Sequence, residues 1–205
     1  MIPTINIAAL FDAESRPSPA LTATDLAVFE AATTLGFMTI TGLPHEPDIG
    51  ASAKQTLTTL FNLAADEQRR LWKRNFESNN PNLYRGWFPL HSGPTLSREG
   101  FEIGPDVVRG LPNPTKDVLL EPTPWPSDTA LPHFRTVAAR YYAAMEAIGA
   151  ALLASLSRGL GIAPTLFRDA FTEGISTLRL LRYIPRHDLP ISSALKATRG
   201  AHVDT

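Results

Sequence analysis

The sequence contains no cysteine. That excludes a disulfide framework, a thiol nucleophile, an iron–sulfur cluster and any zinc site built on thiolates. Histidine and carboxylate are left as the main means of holding a catalytic metal. Charge of one sign is also lacking, since 19 basic and 20 acidic side chains give a formal net charge of −1. A nucleic-acid footprint needs a basic excess, so no nucleic-acid partner is expected. Long apolar runs are scarce: the most apolar window, 143–156, contains Glu146 and is too short to span a bilayer, so no membrane partner is expected. Met1-Ile2-Pro3-Thr4-Ile5 lacks the basic stretch that opens a secretory signal, which points to a cytoplasmic protein. No internal repeat or low-complexity tract is visible. At 205 residues the chain is long enough to bury one hydrophobic core without staples.

What the sequence does hold is a series of short elements around one proline-rich stretch. Residues 2–7 alternate apolar and polar as a strand does. Thr22 or Thr24 is placed to cap a helix whose apolar face is Val28, Phe29, Ala32 and Leu35, with Gly36 as its stop. A β-prone run, 37–41, follows. Asp48 is placed to cap a second helix carrying Ile49, Ala53, Leu57, Leu60 and Phe61, and a short charged helix runs from about 66 to 74. Residues 75–130 should be ordered loop, because proline fixes φ and lacks a donor and seven prolines fall between Pro105 and Pro132. Their aromatics argue for packing rather than disorder. Phe134, Val137, Ala138, Tyr141, Met145, Ile148, Leu152 and Leu156 then mark one face of a helix over 131–160, ended by Gly161. A further helix starts at Pro164, and 176–184 reads as a strand.

The chain closes on Ala201-His202-Val203-Asp204-Thr205. Residues two apart on a strand point to the same face, so His202 and Asp204 would converge on one ion. With a second histidine they would form the 2-His-1-carboxylate set that leaves open positions on Fe(II). Five histidines and ten aspartates give roughly 0.24 such pairs per chain by chance, so the pair alone is weak. Each of His45, His91, His133 and His187 reads by itself as a surface or hydrogen-bonded histidine.

What precedes the pair carries more. In order along the chain stand Ile2-Pro3-Thr4-Ile5-Asn6-Ile7, Gly36-Phe37-Met38-Thr39-Ile40, Phe61-Asn62-Leu63-Ala64 with Glu67 and Arg70, and Arg85-Gly86-Trp87. Glu99-Gly100-Phe101-Glu102-Ile103-Gly104, Pro124-Trp125-Pro126, Leu178-Arg179-Leu180-Leu181-Arg182-Tyr183 and the terminal His202-Val203-Asp204 follow. This series resembles the isopenicillin N synthase-like branch of the Fe(II)/2-oxoglutarate-dependent oxygenases. The resemblance implies an α+β fold: a helical N-terminal region and the first strands of a double-stranded β-helix, or jelly-roll, core that is incomplete in this chain. It divides the chain into an N-terminal oxygenase region, 1–130, and a long bracing helix with the start of the catalytic core, 131–205.

The resemblance further implies Fe(II) as cofactor, with 2-oxoglutarate and O₂ as co-substrates, and hydroxylation, desaturation or cyclisation of a small-molecule substrate. His202 and Asp204 would be metal ligands and Tyr183 would contact 2-oxoglutarate. Some relatives carry Asn where this chain has Leu181, and commonly Pro where it has Ile184. Arg85, Trp87 and Phe101 would line the substrate pocket. The family's third ligand, a distal histidine, and its Arg-x-Ser pair lie beyond the matched segments, so the 205-residue chain by itself is expected to show no substrate-coupled 2-oxoglutarate decarboxylation. The reading from another class is a non-catalytic helical binding or scaffold protein derived from such an oxygenase.

Overall fold

The computed structural model describes residues 1–12, 17–90, 98–110, 117–172 and 174–183. In chain order the elements are β1 (Thr4–Asn6), α1 (Pro19–Thr34), β2 (Thr39–Thr41), α2 (Glu46–Ile49), α3 (Ala51–Thr58), α4 (Ala65–Arg70), β3 (Gly86–Phe88), β4 (Arg98–Ile103), α5 (Asp106–Arg109), α6 (Phe134–Gly159), α7 (Thr165–Phe171) and β5 (Leu178–Tyr183). They fall into two compact units. One joins Met1–Lys54 to Thr136–Ile175, and the other joins Gln55–Arg135 to the segment from Ser176 onward.

In the first unit β1 and β2 pair in parallel, Thr4 opposite Thr39 through Asn6 opposite Thr41. A parallel pair needs a crossover, and α1 supplies it. The helix starts earlier than Thr22 or Thr24 suggests. Ser18 is the cap, accepting the Leu21 amide at 3.1 Å, and Pro19 takes the first helical position, where its missing donor costs nothing. Thr24 lies inside the helix and returns its hydroxyl to the Ala20 carbonyl. The buried face is Thr24, Val28 and Ala31, whereas Leu35 is exposed. Gly36 stops the helix with φ +72°, its amide reaching back to the Ala31 carbonyl at 3.0 Å. Asp48 is not a cap either, because it sits within the one-turn α2, which His45 precedes with φ +56°.

The core of this unit is Ile5, Ile7, Val28, Ala31, Ile49, Ala144 and Ile148. The last two come from α6, about 39 Å long at 1.5 Å per residue. An 18-residue window of α6 is apolar enough, by length and composition alone, to cross a membrane, which the shorter window 143–156 does not suggest. Met145, expected on the packed face, is exposed, and Ala144 is buried instead. Near the C-terminal end of α6, Asp25 accepts the Ser155 hydroxyl at 2.6 Å and both arms of Arg158 at 2.6 and 2.8 Å. The hydrogen bond to Asp25 raises the Arg158 pKa above its ordinary value, against the opposing effect of burial.

The second unit departs from the expected loop. Residues 75–130 contain β3 and β4, and with β5 these form an antiparallel sheet in the order β3-β4-β5. The seven prolines of Pro105 to Pro132 all fall after β4, so no ladder donor is lost where the strands form. β4 is the middle strand and is buried at every position after Arg98. The segment before β3 is stitched on as well: Trp87 donates to the Leu71 carbonyl at 2.7 Å and Lys73 to the Trp87 carbonyl at 2.9 Å. Gly86 makes that approach possible. Its φ is +109°, and a Cβ there would lie 2.6 Å from the Leu71 carbonyl oxygen.

Candidate active site

Register decides which side chains of this sheet meet. β4 and β5 align Arg98 with Tyr183, Glu99 with Arg182, Gly100 with Leu181, Phe101 with Leu180, Glu102 with Arg179 and Ile103 with Leu178. β3 adds Gly86 opposite Glu102, Trp87 opposite Phe101 and Phe88 opposite Gly100. Alternation then sorts the sheet into two faces. Trp87, Glu99, Phe101, Ile103, Leu178, Leu180 and Arg182 share one. Phe88, Arg98, Gly100, Glu102, Arg179, Leu181 and Tyr183 share the other.

The first face is the core of this unit. Trp87 stands edge-on to Phe61 at 5.4 Å and to Phe101 at 6.4 Å between ring centroids. Its indole N–H donates to Glu99 at 3.2 Å, and Arg182 holds the same carboxylate while donating to the Phe61 carbonyl at 3.0 Å. Trp87, Phe101 and Arg85, the three residues expected to line a substrate pocket, are each 0% exposed. Trp87 and Phe101 lie on the face opposite Tyr183. Arg85 is anchored by the Thr177 hydroxyl at 2.5 Å and the Leu119 carbonyl at 2.9 Å, with its guanidinium 4.9 Å from the Tyr84 ring.

The loop that carries Arg85 is itself fastened by a carboxylate. Glu121 accepts the backbone amides of Leu83 at 2.9 Å, Tyr84 at 2.8 Å and Arg85 at 3.2 Å. Asn82 donates to the Pro122 carbonyl at 2.7 Å, and buried Asp106 accepts the Thr123 hydroxyl at 2.7 Å and its amide at 3.1 Å. The polar groups of a segment poor in ladders are thereby satisfied by side chains, as burial requires.

The second face holds Tyr183, at the end of β5 and 42% exposed. Four residues back along the same strand, Arg179 pairs with Glu102, and Lys73 reaches that carboxylate from the other side at 2.5 Å. The Lys73 ammonium also stands 5.5 Å from the Tyr84 ring and 5.3 Å from the Phe88 ring. Arg179 and Arg182, which as isolated strand charges read as solvent-facing, are each paired with a buried glutamate. Lys73 and Glu102 had no signal of their own in the sequence, because their meeting depends on cross-strand register. His202 and Asp204 lie outside the described residues, as does His91. Among the described residues no group of three metal-binding side chains occurs.

The fold is shared with part of several solved structures. Its fold matches a full-length Neurospora crassa protein, solved in complex with alpha-KG and thymine, with a TM-score of 0.71, at 20% identity over 89% of this chain and 55% of that one. It likewise matches a 2OG-Fe(II) oxygenase family protein from Caulobacter crescentus with a TM-score of 0.69, at 18% identity over 90% of this chain and 56% of that one. Among curated proteins, the 2-oxoglutarate-dependent dioxygenase traH of Penicillium crustosum is 28% identical over 99% of this chain and 61% of its own length. A 2-oxoglutarate-Fe(II) type oxidoreductase of Aspergillus fumigatus is 30% identical over 82% of this chain and 50% of its own length. No family profile matches the chain. The chain thus spans about half to three fifths of the length of these two relatives. Those relatives are dioxygenases and oxidoreductases that use 2-oxoglutarate, in agreement with the isopenicillin N synthase-like resemblance and in favour of an enzyme over a scaffold.

Proposed function

We propose that the protein carrying this chain is an Fe(II)- and 2-oxoglutarate-dependent oxygenase that hydroxylates, desaturates or cyclises a small molecule. The observation that carries this is the alignment over 99% of the chain to a 2-oxoglutarate-dependent dioxygenase, in a sequence whose β5 leads on to His202-Val203-Asp204. The donor set suits the metal: an imidazole and a carboxylate are the ligand types Fe(II) takes in open facial sites, and no thiolate competes for it. In this reading His202 and Asp204 hold the iron, and Tyr183, at the end of β5, donates its hydroxyl to a carboxylate of 2-oxoglutarate. When bound, the iron and 2-oxoglutarate supply the activation of O₂. The share of the protein is to position the substrate and exclude side reactions. Small molecules are bound by the Neurospora structural neighbour, thymine in one complex and 5-formyluracil in another, which supports a substrate of that size here.

The test is spectroscopic. Anaerobic addition of Fe(II) and 2-oxoglutarate to the protein is expected to give a visible charge-transfer band, and His202→Ala is expected to abolish it. A band that survives His202→Ala, or no band with both ligands intact, overturns the assignment.

A further inference from the structure

We propose that the substrate carries a carboxylate or an equivalent anion, and that Arg179, backed by Lys73, reads it. The inference rests on the oxygenase reading, and it begins from an imbalance of charge. On the sheet face that bears Tyr183, two cations share one carboxylate. Glu102 is buried, with 3% of its side chain exposed, Lys73 is nearly so at 14%, and Arg179 leaves 46% of its side chain open. One positive charge is in excess at this spot, and the open member of the cluster carries it. A guanidinium has five N–H donors in a planar fork that matches a carboxylate, and a single partner uses only part of them. Among the described residues Glu102 is the partner of Arg179. Arg182 on the opposite face makes the contrast, since it holds both Glu99 and the Phe61 carbonyl and lies over the Phe61 ring.

The same face also has a length and a polarity. Arg179 and Tyr183 are four residues apart on β5, which is about 13 Å at strand rise. Between them lie Leu181 and Gly100, and Phe88 extends over Gly100, where a Cβ would collide with its ring. From one end to the other the face therefore presents a phenol with Arg98 directly opposite it, an apolar stretch and the Arg179 cation. A ligand complementary to it has a polar group near Tyr183, an apolar body, and an anionic group no more than about 13 Å away. Lys73 makes the cation durable: held against Glu102 beside the Tyr84 and Phe88 rings, it shares the buried carboxylate with Arg179 and leaves part of the Arg179 fork for a ligand.

The probes are 3-phenylpropionate and 5-phenylvalerate, each paired with its primary amide, bound to the metal-free protein and followed by saturation-transfer NMR. The acids are expected to bind at least tenfold more tightly than the amides. Arg179→Gln and Lys73→Met are each expected to bring that ratio within threefold, and Arg179→Lys, which keeps the charge, to retain most of it. Circular dichroism of each variant reports whether the sheet is intact. Equal binding of acids and amides overturns the proposal, as does the absence of any acid binding. So does a preference that survives Arg179→Gln, or mutual displacement of the acids and 2-oxoglutarate, which would make the cluster a co-substrate site. Because no metal is added, these outcomes are separate from the charge-transfer test, which decides the oxygenase reading alone.

Discussion

Trp87→Ala is expected to lower the free energy of unfolding by about 4 kcal/mol, in the range measured for deleting a large buried ring. Trp87 is fully buried, in edge contact with both Phe61 and Phe101, and its indole donates to a glutamate that is itself buried. Alanine would remove the ring from the centre of that contact set. It would also remove one donor from Glu99, leaving Arg182 to hold that carboxylate. The backbone of Trp87 belongs to the ladder joining Leu71–Lys73 to β3, so the loss sits where the sheet meets the segment that delivers Lys73. Domains of this size have about 5–15 kcal/mol in all, so the variant should be close to unfolded at moderate urea. Urea denaturation followed by far-UV circular dichroism measures it, with Trp87→Phe as the companion. Phenylalanine keeps most of the ring and loses the N–H, and about 1–2 kcal/mol is expected for it. A loss below about 1.5 kcal/mol for Trp87→Ala would mean that the ring is not central to this core.

How much of the fold is legible in the chain depends on how far apart the interacting residues are. Helix α6 is legible because its apolar positions recur every three or four residues, and β5 because six consecutive residues are β-prone or long-chained. The start of α1 is harder to place because two threonines compete with Ser18 as caps on local grounds, and Pro19 at the first helical position is what decides. β3 and β4 read locally as loop. Gly86-Trp87-Phe88 is three residues long, and Arg98–Ile103 contains two glutamates and a glycine. Their strand character comes from pairing with neighbours rather than from intrinsic preference. The metal pair can be read because its spacing of two is local. The charged cluster beside Tyr183 cannot: Lys73 and Glu102 are 29 residues apart, and Arg179 lies far beyond both in the chain, so only the folded register brings them together. The same register buries Trp87 and Phe101 on the face away from Tyr183, an arrangement that composition alone does not distinguish from a pocket lining.

Glu102→Gln is expected to cost about 3 kcal/mol, roughly twice the cost of Glu99→Gln, and the comparison tests the charge accounting of the sheet. Removing the charge of Glu102 leaves two cations facing each other across a buried amide, one of them the mostly buried Lys73. Removing that of Glu99 leaves one, Arg182, whose side chain is 43% exposed and which keeps its bond to the Phe61 carbonyl. An uncompensated charge costs most where water cannot reach it, so the Lys73 side of the cluster should dominate. A double-mutant cycle separates the two contributions: the coupling of Glu102 to Lys73 should exceed its coupling to Arg179, because half-exposed Arg179 recovers solvation when its partner is lost. Raising the salt concentration should erode the Arg179 coupling and leave the Lys73 coupling nearly unchanged, since screening acts on the exposed charge. Equal costs for the two glutamates, or an Arg179 coupling larger than that of Lys73, would show that Arg179 is bound into the sheet as tightly as Lys73, and a guanidinium so held would have no free edge to offer a ligand.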